Sequence, residues 1–208
     1  MVRINSLLFA PIKLYLKAKF WTIKIKLAKC GQNSVIIDPM KVYGAENIRI
    51  YDNVKIGSKC YLGAVSLTGK SSNLTVEDNA TIGDFCHIYA TEEIIIKKNA
   101  LLANFVYISD NLHCFENINI PIQQQPIKQL SRVVIGEGCW IGEHVSIIGS
   151  SVGKNSVIGA NSVVTHDIPD FCVAVGAPAI IIKRYNFSTC RWEKTDKKGN
   201  FIKTRWRN

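Results

Sequence analysis

Aliphatic residues recur six positions apart through the middle of the chain: Ile50, Ile56, Leu62; Val76, Ile82, Ile88; Ile96, Leu102, Ile108; Ile135, Ile141, Ile147; Val152, Ile158, Val164. A second, smaller row stands two residues before most of them: Ile48, Val54, Cys60; Leu74, Ala80, Cys86; Ile94, Ala100, Val106; Val133, Cys139, Val145; Ser156, Ser162. A period of two inside a period of six predicts short strands with one face inward. Neither an amphipathic α-helix nor a βαβ unit has this spacing. The expected fold is an all-β solenoid of short parallel strands, in coils of about 18 residues stacked roughly 4.8 Å apart.

Gly follows many of the aliphatics, at Gly57, Gly63, Gly83, Gly136, Gly142, Gly153 and Gly159, and Asn or Gly commonly comes two to three residues later. These residue types predict tight corners at positive φ. The step of six is broken from Leu62 to Val76 (14), Ile88 to Ile96 (eight), Ile147 to Val152 (five) and Ile108 to Ile135 (27). The last break is a 21-residue insertion, and a long loop inside a tight repeat is functional or disordered.

Three regions follow: a basic segment over 1–30, the repeat domain over 31–183 with its inserted loop at about 109–132, and a basic tail over 184–208. In the first, Leu7, Leu8, Ile12, Tyr15 and Leu16 are spaced for an amphipathic helix, packed on the first coil or on a neighbouring subunit. The alternative is a basic face resting on a membrane surface. Ala179 to Ile182 reads as a closing strand or a helix start, and the tail as polar, with a turn at Lys198-Gly199-Asn200.

Composition sharpens this picture. With 208 residues, 47% apolar and 20% charged, the chain has material for one domain and its core, which excludes global disorder. The net charge of +10 sits at the ends: 1–30 holds seven basic residues and no acid, 183–208 holds nine basic and two acidic, and the middle is net −4. Aromatic and basic residues interleave only in the tail, so no nucleic acid is expected. Seven cysteines without a CxxC pair fit a reducing cytosol better than a disulfide framework. Pro11, Lys13 and Lys17 make the start a poor signal peptide, and no apolar run has the length of a membrane span.

The segment VVIGEGCWIGEHVSIIGSSVGKNSVIGANSVVTHDIPDFCVAVGAPAIIIK, residues 133–183, resembles the C-terminal half of the hexapeptide-repeat acyltransferases, in particular the galactoside (maltose) acetyltransferase and polysaccharide O-acetyltransferase branch. The IG-x-x-x-W-IG, VVT-x-DIP and G-x-P-A runs carry the resemblance, within a repeat covering about 50–183. It implies a left-handed parallel β-helix of triangular section, a homotrimer with active sites between subunits, and acyl transfer from acetyl-CoA to a hydroxyl or amine. No metal is implied.

Attack on a thioester needs a base for the acceptor's proton, and a neutral imidazole suits that task. The resemblance points to His113, at the start of the insertion, as general base. Asp110 is then a candidate to fix the imidazole tautomer, and His87 a candidate contact for the acceptor or the intermediate. An oxyanion donor is implied near Gly142 and Glu143. Trp140, Ala160, Thr165 and His166 are implied donor contacts, with Lys183 and Arg184 for its phosphates. Where the family has an arginine, this chain has Ile180. His144 reads as an inert corner residue. Cys114 beside His113 invites a nucleophilic thiol reading, against the direct transfer of the family.

The expected function is acetyl-CoA-dependent O-acetylation of a saccharide, in cell-surface polysaccharide biosynthesis, in the cytoplasm or at the inner face of the membrane. The rivals are an N-acetyltransferase acting on a nucleotide-linked amino sugar and a non-catalytic hexapeptide-repeat scaffold.

Overall fold

The computed structural model describes residues 22–196 and 199–202. Over them the chain is almost all β, and successive strands go to three sheets in turn. The first sheet holds β1 (Lys29–Cys30), β4 (Ile48–Ile50), β7 (Asn73–Val76), β10 (Glu93–Ile96) and β15 (Val133–Ile135). The second holds β2 (Val35–Ile36), β5 (Lys55–Ile56), β8 (Thr81–Ile82), β11 (Leu101–Leu102), β16 (Trp140–Ile141), β18 (Val157–Ile158), β20 (Cys172–Val175), β21 (Ile180–Asn186) and β22 (Arg191–Lys194). The third holds β3 (Lys41–Tyr43), β6 (Tyr61–Ala64), β9 (His87–Ala90), β12 (Tyr107–Ser109), β17 (Ser146–Ile148) and β19 (Val163–Val164). Within these three sheets all neighbours up to β20 pair in parallel, so each coil contributes to each sheet.

Register explains the period of six. Ile50, Val76, Ile96 and Ile135 pair in one column, which Val152 and Ile168 extend as single bridges. Ile56, Ile82, Leu102, Ile141 and Ile158 make the second column. Leu62, Ile88, Ile108, Ile147 and Val164 make the third. All fifteen six-spaced aliphatics are at most 1% exposed, and the smaller row is buried beside them. Burying each such side chain is worth roughly 1.5–3 kcal/mol. The winding begins one coil before Ile50, because Cys30, Ile36 and Val42 pair with Ile50, Ile56 and Leu62.

The corners match expectation at the asparagines and differ at the glycines. Positive φ falls on Asn33, Asn53, Asn79, Asn99, Asn155 and Asn161, and also on Phe85, Phe105 and His144, but on none of the seven glycines that follow the aliphatics. Gly142 shows what those glycines do. A Cβ there would lie 2.6 Å from the Ala160 nitrogen and 2.8 Å from the Ile158 oxygen, so the missing side chain permits close stacking of the next coil. Phe85 and Phe105 stack at 5.0 Å and Phe105 and His144 at 4.7 Å, making one column of left-handed corner residues.

The expected tail is sheet over its described residues: β21 runs antiparallel to β20, and β22 antiparallel to β21. Tyr185 meets Phe187 and Trp192 edge-on, and Phe187 meets Phe171, so aromatic packing holds this hairpin against the last coil. At the other end, residues 1–21 lie outside the described residues, and with them the amphipathic pattern. Residues 22–24 form a helical turn, and Leu27 joins the core. Lys198 of the expected turn also lies outside.

The insertion is ordered. β13 (Asn111–His113) and β14 (Ile127–Gln129) pair antiparallel on either side of a short 3-10 turn at Ile122–Gln124. The Gln125 amide closes this excursion by donating to the Asn117 and Ile120 oxygens, each at 2.9 Å.

Candidate active site

On the third sheet, Lys41, Tyr61, His87, Tyr107, Ser146 and Val163 lie in one row across the strands. Tyr43, Gly63, Tyr89, Ser109 and Ile148 lie in the next. Both rows flank the inward column through Leu62, Ile88 and Ile108, so the period of two turns them outward. The result is an aromatic wall. His87 stacks on Tyr61 at 4.3 Å and meets Tyr107 edge-on at 5.4 Å, and Tyr61 lies 5.9 Å from Tyr89.

A cavity of about 380 Å³ opens on this wall. Tyr61, His87, Tyr89 and Tyr107 line its floor, Leu67 one side, and Asn111, Leu112, His113 and Ile127 of the hairpin the other. His113 and His87, singled out separately in the sequence, therefore share one cavity. Burial holds the His87 imidazole below its ordinary range, so it is neutral at pH 7. Burial raises the Tyr61 and Tyr89 phenols, which keeps their protons available for donation.

Asp110 has a different role from the one expected. It is fully buried, and its carboxylate accepts from the Thr91 N–H at 2.8 Å, the Thr91 hydroxyl at 3.0 Å and the Asn111 amide at 3.1 Å through one oxygen. The other oxygen accepts from the Glu92 and Glu93 N–H groups at 2.8 and 2.9 Å. With both oxygens committed to the corner between β9 and β10, the carboxylate does not bond the His113 imidazole. Asp110 instead anchors the strand end from which the His113 hairpin departs.

Gln129 was not foreseen. Its amide oxygen accepts from the Thr68 and Thr91 hydroxyls at 2.7 and 2.9 Å. Its NH₂ donates to the main-chain oxygens of Asp110 and Leu130. One side chain thus joins both walls of the cavity to the coil beneath. The tyrosines were missed as well, although each holds the outward position beside an inward residue, which laying the coils over one another would have revealed.

Of the residues expected at the donor, Trp140, Gly142, Glu143, Ala160, Lys183 and Arg184 lie on or just after strands of the second sheet, Thr165 and His166 follow β19 of the third, and none lines the His113 cavity. Trp140 is 53% exposed, and Ala160, Thr165 and His166 are exposed too. The Thr165 hydroxyl and His166 Nδ1 are 3.0 Å apart. The Gly142 N–H is already committed to the Ile158 oxygen at 2.8 Å, so it is not free to meet an oxyanion. Among the described residues nothing accepts from the Glu143 N–H. Equivalent corner amides of earlier coils, those of Ser58 and Asp84, are met by the next coil's Asp84 and Asn104 side chains.

Lys183 and Arg184, expected to act together, point to opposite faces of β21, as consecutive strand residues must. The Arg184 guanidinium donates to the Gly199 oxygen at 3.3 Å, on the face of its partner Cys172. Trp140, Val157, Val173 and Lys183 are in register across four strands, and Lys194 stands opposite Lys183 on β22. A ring, two aliphatics and two ammonium groups in line fit an elongated co-substrate with an apolar arm and phosphates.

Residues 132–166 match the family model described as the hexapeptide repeat of succinyl-transferase. The chain is 40% identical over 111 residues to a putative lipopolysaccharide biosynthesis O-acetyl transferase, WbbJ, of Escherichia coli (strain K12), covering 50% of this chain and 56% of that one. It is 38% identical over 91 residues to the galactoside O-acetyltransferase of the same organism, covering 39% and 45%. The chain spans about half the length of these curated relatives. Among solved structures, a galactoside acetyltransferase in complex with coenzyme A superimposes with a TM-score of 0.54 at 26% identity, over 88% of this chain and 76% of that one. AntD, an N-acyltransferase from Bacillus cereus, shares the fold with a TM-score of 0.68 at 22% identity, over 81% and 90%. Residues 132–166 are thus similar to a hexapeptide repeat, and about half of the chain is similar in sequence to acetyltransferases.

Proposed function

We propose that this hexapeptide-repeat chain is an acetyl-CoA-dependent O-acetyltransferase acting on a saccharide hydroxyl in cell-surface polysaccharide biosynthesis. The observation that carries the reading is the shared cavity: His113 and a neutral His87 face one space lined by tyrosine rings, on a repeat akin to that of acetyltransferases. His113 takes the acceptor's proton as its oxygen attacks the acetyl carbonyl, and the coenzyme thiol leaves. His87 and the phenols orient the sugar. The uncommitted Glu143 N–H is the donor for the developing oxyanion.

In a single chain His113 and the second-sheet row lie on different sheets, and Thr165 and His166 lie at the corner after β19, outside the His113 cavity. The proposed assembly is a homotrimer of left-handed, triangular β-helices, in which one subunit's His113 faces its neighbour's Trp140, Ala160, Thr165, His166 and Lys183. The domain limits proposed are 31–183 for the transferase unit and 1–30 for a basic segment contacting anionic lipid at the inner, cytoplasmic face of a membrane. The test is acetyl transfer to a saccharide panel, read by mass. His113→Ala should abolish transfer and leave the assembly intact, and an active His113→Ala protein sinks the reading.

A further inference from the structure

The aromatic wall does not stop at the cavity. Tyr43, one coil beyond it, lies 5.7 Å from Tyr61, so rings continue from Tyr107 through His87 and Tyr61 to Tyr43. These four occupy successive strands of the third sheet, a distance of roughly 14 Å at the usual strand spacing. Aromatic pairs across strands stabilise a sheet, but phenylalanine would serve for that. Here the four tyrosine phenols (Tyr43, Tyr61, Tyr89, Tyr107) make no hydrogen bond among the described residues. Gly63 adds a second mark of a built surface. A Cβ at that position would lie 2.3 and 2.5 Å from two carbons of the Tyr89 ring, so the missing side chain is what lets that ring lie against the strand.

We infer that this wall is an extended acceptor site, so that the acetylated saccharide is a chain of several linked sugars and not a lone monosaccharide. The inference rests on the saccharide acetyltransferase reading and adds the class of acceptor. Pyranose rings offer apolar C–H faces to aromatic rings and hydroxyls to the phenols. A sugar at His113 places its neighbours over His87 and Tyr61, and the next over Tyr43.

The test compares kcat/KM for gluco- and galacto-oligosaccharides of one to four residues, with acetyl-CoA as donor, in wild type, Tyr43→Ala, Gly63→Ala and the control Thr75→Ala on the first sheet. The tetrasaccharide should exceed the monosaccharide by about tenfold, through KM, which corresponds to about 1.4 kcal/mol. Tyr43→Ala and Gly63→Ala should bring that ratio close to one, with Thr75→Ala keeping it and light scattering showing the same assembly throughout. Equal use of all lengths by wild type overturns the extended site but leaves the acetyltransferase reading standing. A changed assembly in Tyr43→Ala overturns it too, by making the rings a subunit contact. If no acceptor of any length is acetylated, both readings fall.

Discussion

The side-chain amide of Gln129 donates to the main-chain oxygen of Asp110 at 2.8 Å, tying the far strand of the insertion to the point where its near strand leaves the coil. Replacing Gln129 by Ala removes this bond and leaves the Thr68 and Thr91 hydroxyls without that acceptor. The expected cost is about 1–3 kcal/mol of stability. Transfer should fall further than stability, because His113 rides on this hairpin. Faster hydrogen exchange at the Cys114 and Leu130 amides, which close the hairpin, would accompany the loss.

Asp110→Ala should behave as a structural lesion. Three backbone N–H groups and a hydroxyl lose a buried acceptor, so unfolding free energy should drop by on the order of 3 kcal/mol. The pH profile of the remaining activity should keep its shape. A displaced profile in a protein of unchanged stability would return Asp110 to the orienting role it lacks here.

His87 makes stability acid-sensitive. Its folded pKa lies below the ordinary 6.5 because burial disfavours the charged ring. The unfolded chain therefore binds a proton more readily, and stability present above about pH 6.5 is lost as pH falls toward the lowered value. His87→Phe keeps a ring on Tyr61 and removes the proton. Its melting temperature should decline less than that of wild type between pH 7 and pH 5.

Lys183 and Lys194 face each other across β21 and β22, and like charges so placed destabilise a sheet unless an anion lies between them. Lys194→Ala should raise the KM for acetyl-CoA about tenfold. With acetyl-pantetheine, which lacks the nucleotide phosphates, the effect should vanish. Equal effects on both donors would remove the phosphate role.

Gly142→Ala sets a methyl against the backbone of the next coil, where no flexible side chain can yield. The coils must separate or shift at the point expected to meet the acetyl group. Loss of activity together with a melting temperature several degrees lower is the expected result.

The core was open to reading because a winding chain repeats its inward positions locally: the period that places Ile96, Leu102 and Ile108 is the one that stacks them on Val76, Ile82 and Ile88. His113 was reached through resemblance, and His87 because it stands next to an inward Ile88. The bonds of Asp110 run to Thr91, Glu92 and Glu93 in the coil it leaves, and those of Gln129 to Thr68, so they exist only after stacking. Lys183 and Arg184 looked like one cluster as neighbours in sequence. Strand geometry parts them, and a reversal of direction supplies Lys194 in place of Arg184.

That reversal has a further consequence. A column of parallel strands is a template that never exhausts itself, since the last coil offers the same unpaired edge as the one before. In this molecule β21 turns back along β20 and β22 along β21, so the edge ends in an antiparallel ribbon carrying Arg191 and Lys194. Residues 201–202 return along its end, where the Ile202 N–H meets the Lys194 oxygen at 3.1 Å, and positive charge on a sheet edge discourages another chain from adding there. On the second sheet the C-terminal hairpin thus works as a terminator of growth: it turns the open edge of a fold built like a fibril into a charged antiparallel one.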